Sequence, residues 1–209
     1  MIRGFRALAP VGLSAVLLTG LVPVLTPAAT AGPAQIRYVF PLTCADVRYS
    51  RAHHDYPATD LFAKVGCPFV SPVDGVVDEV SRKDRWKPGT NAGATRGGLS
   101  VSIVGVDGVR YYGSHLSAIA EGIRRGRAVS AGQLLGRVGH SGDARYTTSH
   151  LHFGISWPTP KGEWWVRRGE IPPARYLDAW REGRSKSPAR AVAAARHREN
   201  GDGACTRDC

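Results

Sequence analysis

Seven histidines occur in the 209 residues, and five stand where they could do chemistry together. His53 and His54 precede Asp60 in the string His53-His54-Asp55-Tyr56-Pro57-Ala58-Thr59-Asp60. His115 lies in Tyr112-Gly113-Ser114-His115-Leu116-Ser117, and His150 and His152 bracket Leu151. On a strand, side chains two residues apart project from the same face. Both imidazoles of a His-x-His pair can then approach one point, one as a metal ligand and the other beside it facing a water or a substrate oxygen. Asp60, followed by Leu61-Phe62-Ala63, is placed to begin a strand and turn its carboxylate into the same groove. Two histidines and one carboxylate make a zinc site with three protein ligands and a position open to water, as hydrolysis requires. The helical zinc motif with a built-in glutamate base is absent. Proton transfer would fall to a histidine, whose ordinary pKa suits it. Each cluster alone also fits a surface strand. His140, in Gly139-His140-Ser141-Gly142, could line the cleft but reads first as an exposed loop histidine, and His197 in the basic tail is assigned nothing.

The elements that must position these residues are mostly strands. Phe69 to Val80 reads as two short strands around Asp74-Gly75. Leu99 to Val104 alternates with period two, and Asp107-Gly108 then turns into Val109-Arg110-Tyr111-Tyr112, a predicted hairpin. Leu134–Val138 and Leu151–Ile155 are further strand candidates, while Arg82 to Gly98 reads as a long loop. Helix is expected over Arg175 to Arg181; Ala189 to Arg198 has helix formers but no apolar face. Arg184 to Cys209 is basic, polar and expected to be mobile. Arg82–Gly98 and Gly139–Ser149 are candidate cleft walls. Tyr111, Tyr112, Trp157, Trp164 and Trp165 could touch substrate, although core packing is the commoner role of such side chains.

Three strings carry a family resemblance: His150-Leu151-His152-Phe153, Tyr112-Gly113-Ser114-His115-Leu116-Ser117 and Gly132-Gln133-Leu134-Leu135-Gly136-Arg137-Val138-Gly139. With Asp60, Gly66, Pro68, Val70, Pro72 and Asp74-Gly75-Val76-Val77, they resemble the lysostaphin/LytM-type zinc metalloendopeptidases, from about Ser50 to Trp157. The resemblance implies a mainly β fold: a single antiparallel β-sheet domain with a metal-binding groove, of the duplicated-hybrid-motif type, with short helices at the C-terminus. It implies one zinc ion per chain, held by a histidine of the first segment, by Asp60 and by His152, with His115 and His150 catalytic. Family members commonly place the first histidine four residues before the aspartate, where this chain has Tyr56. His54 is expected to be the ligand because it is nearer that position, with His53 as the alternative. The implied activity is hydrolysis of peptide bonds in peptidoglycan cross-links or stem peptides. The alternative is a non-catalytic scaffold that binds the wall and activates another hydrolase.

Composition and cysteines agree with that setting. Arg3 and Arg6, the apolar run from Ala7 to Leu25 and the small residues Ala29-Thr30-Ala31 read as a secretory signal peptide over residues 1–31. A metallopeptidase domain over 32–182 and a tail over 183–209 follow. The chain is therefore expected to be secreted, cell-wall associated and monomeric, with no stable membrane insertion after cleavage. Lys and Arg number 28 against 17 Asp and Glu, a net charge of +11. Such a balance suits polyanions, and export argues against nucleic acid among them. Four cysteines in an exported chain are expected to pair, as Cys44–Cys67 and Cys205–Cys209.

Overall fold

A computed structural model describes residue 1, residues 35–160 and residues 162–201. The expected signal peptide and the Cys205–Cys209 pair lie outside these residues. The chain divides into residues 1–34 and 35–209, and the second unit carries the fold.

Among the described residues ten strands run in chain order: β1 (Arg48–Tyr49), β2 (Ala58–Phe62), β3 (Pro68–Val70), β4 (Gly75–Ser81), β5 (Ser100–Gly105), β6 (Arg110–Ser114), β7 (Leu116–Ile119), β8 (Ala128–Val129), β9 (Leu134–Val138) and β10 (His150–Ser156). Helices α1 (Trp164–Arg168), α2 (Ala174–Arg181) and α3 (Ala189–Gly201) follow. The strands form a seven-stranded sheet in the order β1-β2-β10-β6-β5-β4-β8 and a three-stranded sheet in the order β3-β9-β7. Every pairing is antiparallel. The fold is mainly β, as expected from the sequence.

Period-two alternation decides which way β10 faces. Leu151, Phe153 and Ile155 are fully buried in the core, each worth about 1.5–3 kcal/mol of burial. His150 and His152 must then share the opposite face. The same rule sends Leu61 of β2 into the core and leaves Asp60 on the groove side. Phe69, Leu116, Leu135 and Val138 of the smaller sheet complete the core.

The predicted hairpin is β5–β6, closed at Gly105–Gly108. The pair expected around Asp74-Gly75 is not a hairpin: β3 joins β9 in the small sheet, whereas β4 joins β5 and β8 in the large one. Val73 is fully buried at that point, so the chain passes through the core between sheets instead of folding back. The tail also differs from expectation. Residues 189–201 form α3, with Val192 buried in the core and Ala189, Ala191 and Ala195 packed against it, so small side chains supply the contact that a broad apolar face would otherwise make. Cys44 and Cys67 are disulfide-bonded, with Cα atoms 5.7 Å apart, tying the segment before β1 to the start of β3. No helix among the described residues is long and apolar enough to cross a membrane.

Candidate active site

The register of β10 with its two neighbours assembles the site. His152 lies opposite Asp60 of β2 on one side and Ser114 of β6 on the other. Asp60, His152 and Ser114 therefore fall in one row, with His115 the next residue along the chain. His115 adopts φ +63°, a conformation non-glycine residues rarely take. Its N–H donates to the Gly97 carbonyl at 2.9 Å, and the chain crosses there from the large sheet to the small one.

His53, Asp60 and His152 bring one ligand atom each within 4.8 Å of one another. The expected ligand His54 is not among them. Its side chain is 73% exposed, with Nε2 at 3.1 Å from Asp55, whereas the His53 side chain is 7% exposed with Nε2 at 3.8 Å from Asp60. The reason lies at Tyr56. Its ring occupies the position four residues before the aspartate and packs against both His53 and His152, at centroid distances of 4.5 and 5.6 Å. The histidine that reaches the cluster comes from one residue further back.

The donor set calls for a cation. His152 Nε2 is 3.1 Å from the Arg168 carbonyl oxygen, which can only accept, so Nε2 carries a hydrogen. In the neutral ring Nδ1 is then a lone pair, and it faces the Asp60 carboxylate at 2.9 Å. Two acceptors at that distance are satisfied only with a second proton or a metal ion between them. Burial pushes the Asp60 carboxyl up, but the neighbouring imidazoles, His152 foremost, outweigh it and bring it down to about 2. Burial, then His152, lowers His53 to about 4. Both groups thus stand in the protonation state that binds metal. The long 3.4 Å contact from the Asp55 N–H to His53 Nδ1 would give way when Nε2 binds.

His115 and His150 are held in matching fashion. His115 Nδ1 donates to the Ser141 carbonyl at 2.9 Å, and His150 Nδ1 to the Thr148 carbonyl at 2.7 Å. In each neutral ring Nε2 is then an acceptor. Burial, then the charges of His152 and His150, pushes His115 down to about 3. The two rings lie 4.9 Å apart, and His150 Nε2 is 3.9 Å from Asp60.

All five histidines line one groove of about 420 Å³, counting both His53 and His54. The loops over residues 82–98 and 139–149 both contribute walls, through Arg96, Gly97, Asp143 and Thr148 among others. Tyr112 also faces the groove, while Tyr111 and Trp157 are core residues. His140 is exposed and lies outside the groove. Three contributors escape a reading of the sequence. Tyr56 places its hydroxyl 3.3 Å from His152 Nε2. Asp143 lies 3.9 Å from His115 Nε2. Arg168 reaches in from α1, and Gly154 makes room for it: a Cβ there would stand 2.1 Å from the Arg168 carbonyl oxygen. A glycine two residues after His152 on the same strand face was the available signal.

The profile of peptidase family M23 matches residues 54–163, just over half of the chain. The chain belongs to peptidase family M23, and the lysostaphin/LytM-type resemblance holds. It is 30% identical over 153 residues to the L-Ala--D-Glu endopeptidase of Bacillus subtilis (strain 168), covering 71% of this chain and 42% of that protein. The chain thus spans less than half the length of that relative. Among solved structures, a candidate glycyl-glycine endopeptidase lytM from Ruminococcus gnavus aligns with TM-score 0.52 and 26% identity, over 70% of this chain and 62% of that one. Lysostaphin in solution, from Staphylococcus simulans, aligns with TM-score 0.50 and 22% identity, over 75% and 58% of the two chains, and bears on the fold alone.

Proposed function

We propose that the protein is a secreted zinc metalloendopeptidase that hydrolyses peptide bonds in peptidoglycan. The observation that carries this is the set of facing acceptors at His53, Asp60 and His152, open to a groove that also presents His115 and His150. His53, Asp60 and His152 would hold one zinc ion, which supplies a Lewis acid to polarise a peptide carbonyl and to bring a water's pKa to about 7.

The chain's own residues manage the protons. His150 Nε2, freed as an acceptor by the bond from Nδ1 to Thr148, takes the proton of the attacking water. His115 Nε2 is likewise an acceptor and orients that water. The proton removed from water is the one delivered to the departing amine, because neither ring carries a spare hydrogen at Nε2. Arg168 and Gly154 fix the tautomer of His152 through its Nε2–H, an outer contact of the kind that orients metal-binding histidines.

The relatives' names mark two bonds within the substrate class, L-Ala–D-Glu and glycyl-glycine. Purified sacculi incubated with the zinc-loaded protein should release new amino termini, and chelation should stop the release. A protein that binds no zinc and releases none would be a scaffold instead.

A further inference from the structure

Beside the groove lies a second cavity of about 180 Å³, between the 82–98 loop and α1. Gly97, Tyr112 and Arg168 line both spaces, so a ligand in one is a neighbour of a ligand in the other. Lys83, Arg85, Arg167 and Arg168 line the second cavity, against a single carboxylate, Glu79. Glu79 is already engaged. Arg110 reaches it at 3.1 Å, and Arg167 also bonds it. Arg110 is almost fully buried and is held as well by Asp78 at 2.7 Å and by the Ser102 hydroxyl at 2.7 Å. Both acids reach one guanidinium because the register of β4 slips between Val77 and Glu79, a bulge that re-aims consecutive side chains.

Lys83 and Arg85 are exposed and make no ion pair among the described residues. The Arg168 guanidinium lies over two rings, 4.7 Å from the Tyr56 centroid and 5.2 Å from that of Trp164. The loop seats on the same Trp164, for a Cβ at Gly93 would come within 2.1 Å of its ring. The cavity is thus a small cationic recess with one rigid wall, opening beside the reacting groups. It has room for a side chain.

We infer that this recess binds a carboxylate of the peptide substrate, so that the bond the protein cuts lies next to an acidic residue. The inference rests on the peptidase reading and narrows it. A glycyl-glycine bond offers no charge to such a recess. A glutamate within a peptide keeps one carboxylate free, and that group matches the guanidinium and ammonium donors.

Two synthetic peptides test it: one containing L-Ala–D-Glu with the free carboxylate, the other its carboxamide. Binding and hydrolysis are measured separately on the zinc-loaded full chain. The acidic peptide should bind about tenfold more tightly or better, and the preference should shrink with added salt. It should collapse towards one in the Lys83→Gln/Arg85→Gln double variant, through the acidic peptide's Kd and KM. Equal binding of the two peptides overturns the inference, as does a preference untouched both by salt and by the double variant. The salt series decides the matter even if the double variant fails to fold. Preferential binding without hydrolysis of either peptide and without new amino termini from sacculi would sink the peptidase reading and leave carboxylate binding in the recess standing; hydrolysis of both with equal Kd would do the reverse.

Discussion

The tyrosine cluster around Asp107 and the histidine cluster around Asp60 are built on opposite terms. In the core, the Tyr38 and Tyr111 hydroxyls both donate to one oxygen of Asp107, at 2.7 and 2.6 Å, and the Val109 N–H donates to the other at 3.2 Å. Every donor there has its acceptor. Across the sheet, His152 Nδ1 and Asp60 present acceptor to acceptor, and His115 and His150 turn unprotonated Nε2 atoms towards the same groove. A closed network stabilises the fold. An open one of similar burial is satisfied only by something that arrives, and this difference separates structure from site.

The largest effect should come from the proton carrier His150 and from His115, which orients the water. His150→Ala and His115→Ala should each lower turnover by about 10²–10⁴-fold, with bound zinc remaining near one per chain. Metal analysis alongside peptide hydrolysis checks both halves. Loss of zinc from either variant would move that histidine into the ligand set, and full activity would remove it from the mechanism.

The adjacent histidines offer the sharpest contrast. His53→Ala should lose zinc and activity together, while His54→Ala should keep both near wild type, because His54 points to Asp55 and solvent. The reverse outcome would restore the ligand expected from spacing. A smaller effect is expected at Gly154→Ala. The new methyl must displace the Arg168 carbonyl, freeing the His152 tautomer, and zinc affinity should fall about 10–100-fold. An unchanged affinity would mean that the contact with Arg168 does not hold the ring.

How far each cluster could be read from the sequence follows from how it is made. Asp60, His150 and His152 share strand faces, and strand periodicity is local, so their convergence was legible. The hairpin β5–β6 was legible for the same reason. That His53 and not His54 lies beside Asp60 was not, because it depends on where the Tyr56 ring packs within an irregular segment. Arg168 was hidden further still. It comes from a five-residue helix beyond the matched segment and reaches the site only because Gly154 lacks a side chain. The separation of β3 from β4 escaped because an Asp-Gly turn reports local geometry, whereas buried Val73 decides which sheet each strand joins.

The closed cluster should respond to pH and leave catalysis alone. Burial, then the charge and hydrogen bond of Asp107, raises Tyr111 well above its ordinary value of 10, and burial raises Tyr38 as well. A folded pKa above the unfolded one means that the folded state binds more protons at alkaline pH. The stabilisation is therefore complete below about pH 10 and is lost as pH rises towards the folded values. Tyrosinate absorbance from these two rings should appear only together with loss of the circular dichroism of the fold. Tyr111→Phe removes one of the two hydroxyls on Asp107 while Tyr38 keeps that oxygen paired. The cost should be about 1 kcal/mol, seen as a fall in Tm of roughly 2–4 °C for a domain of this size, with zinc content and turnover unchanged. A change in turnover would show that the two clusters communicate through β6, which carries Tyr111 and ends one residue before His115.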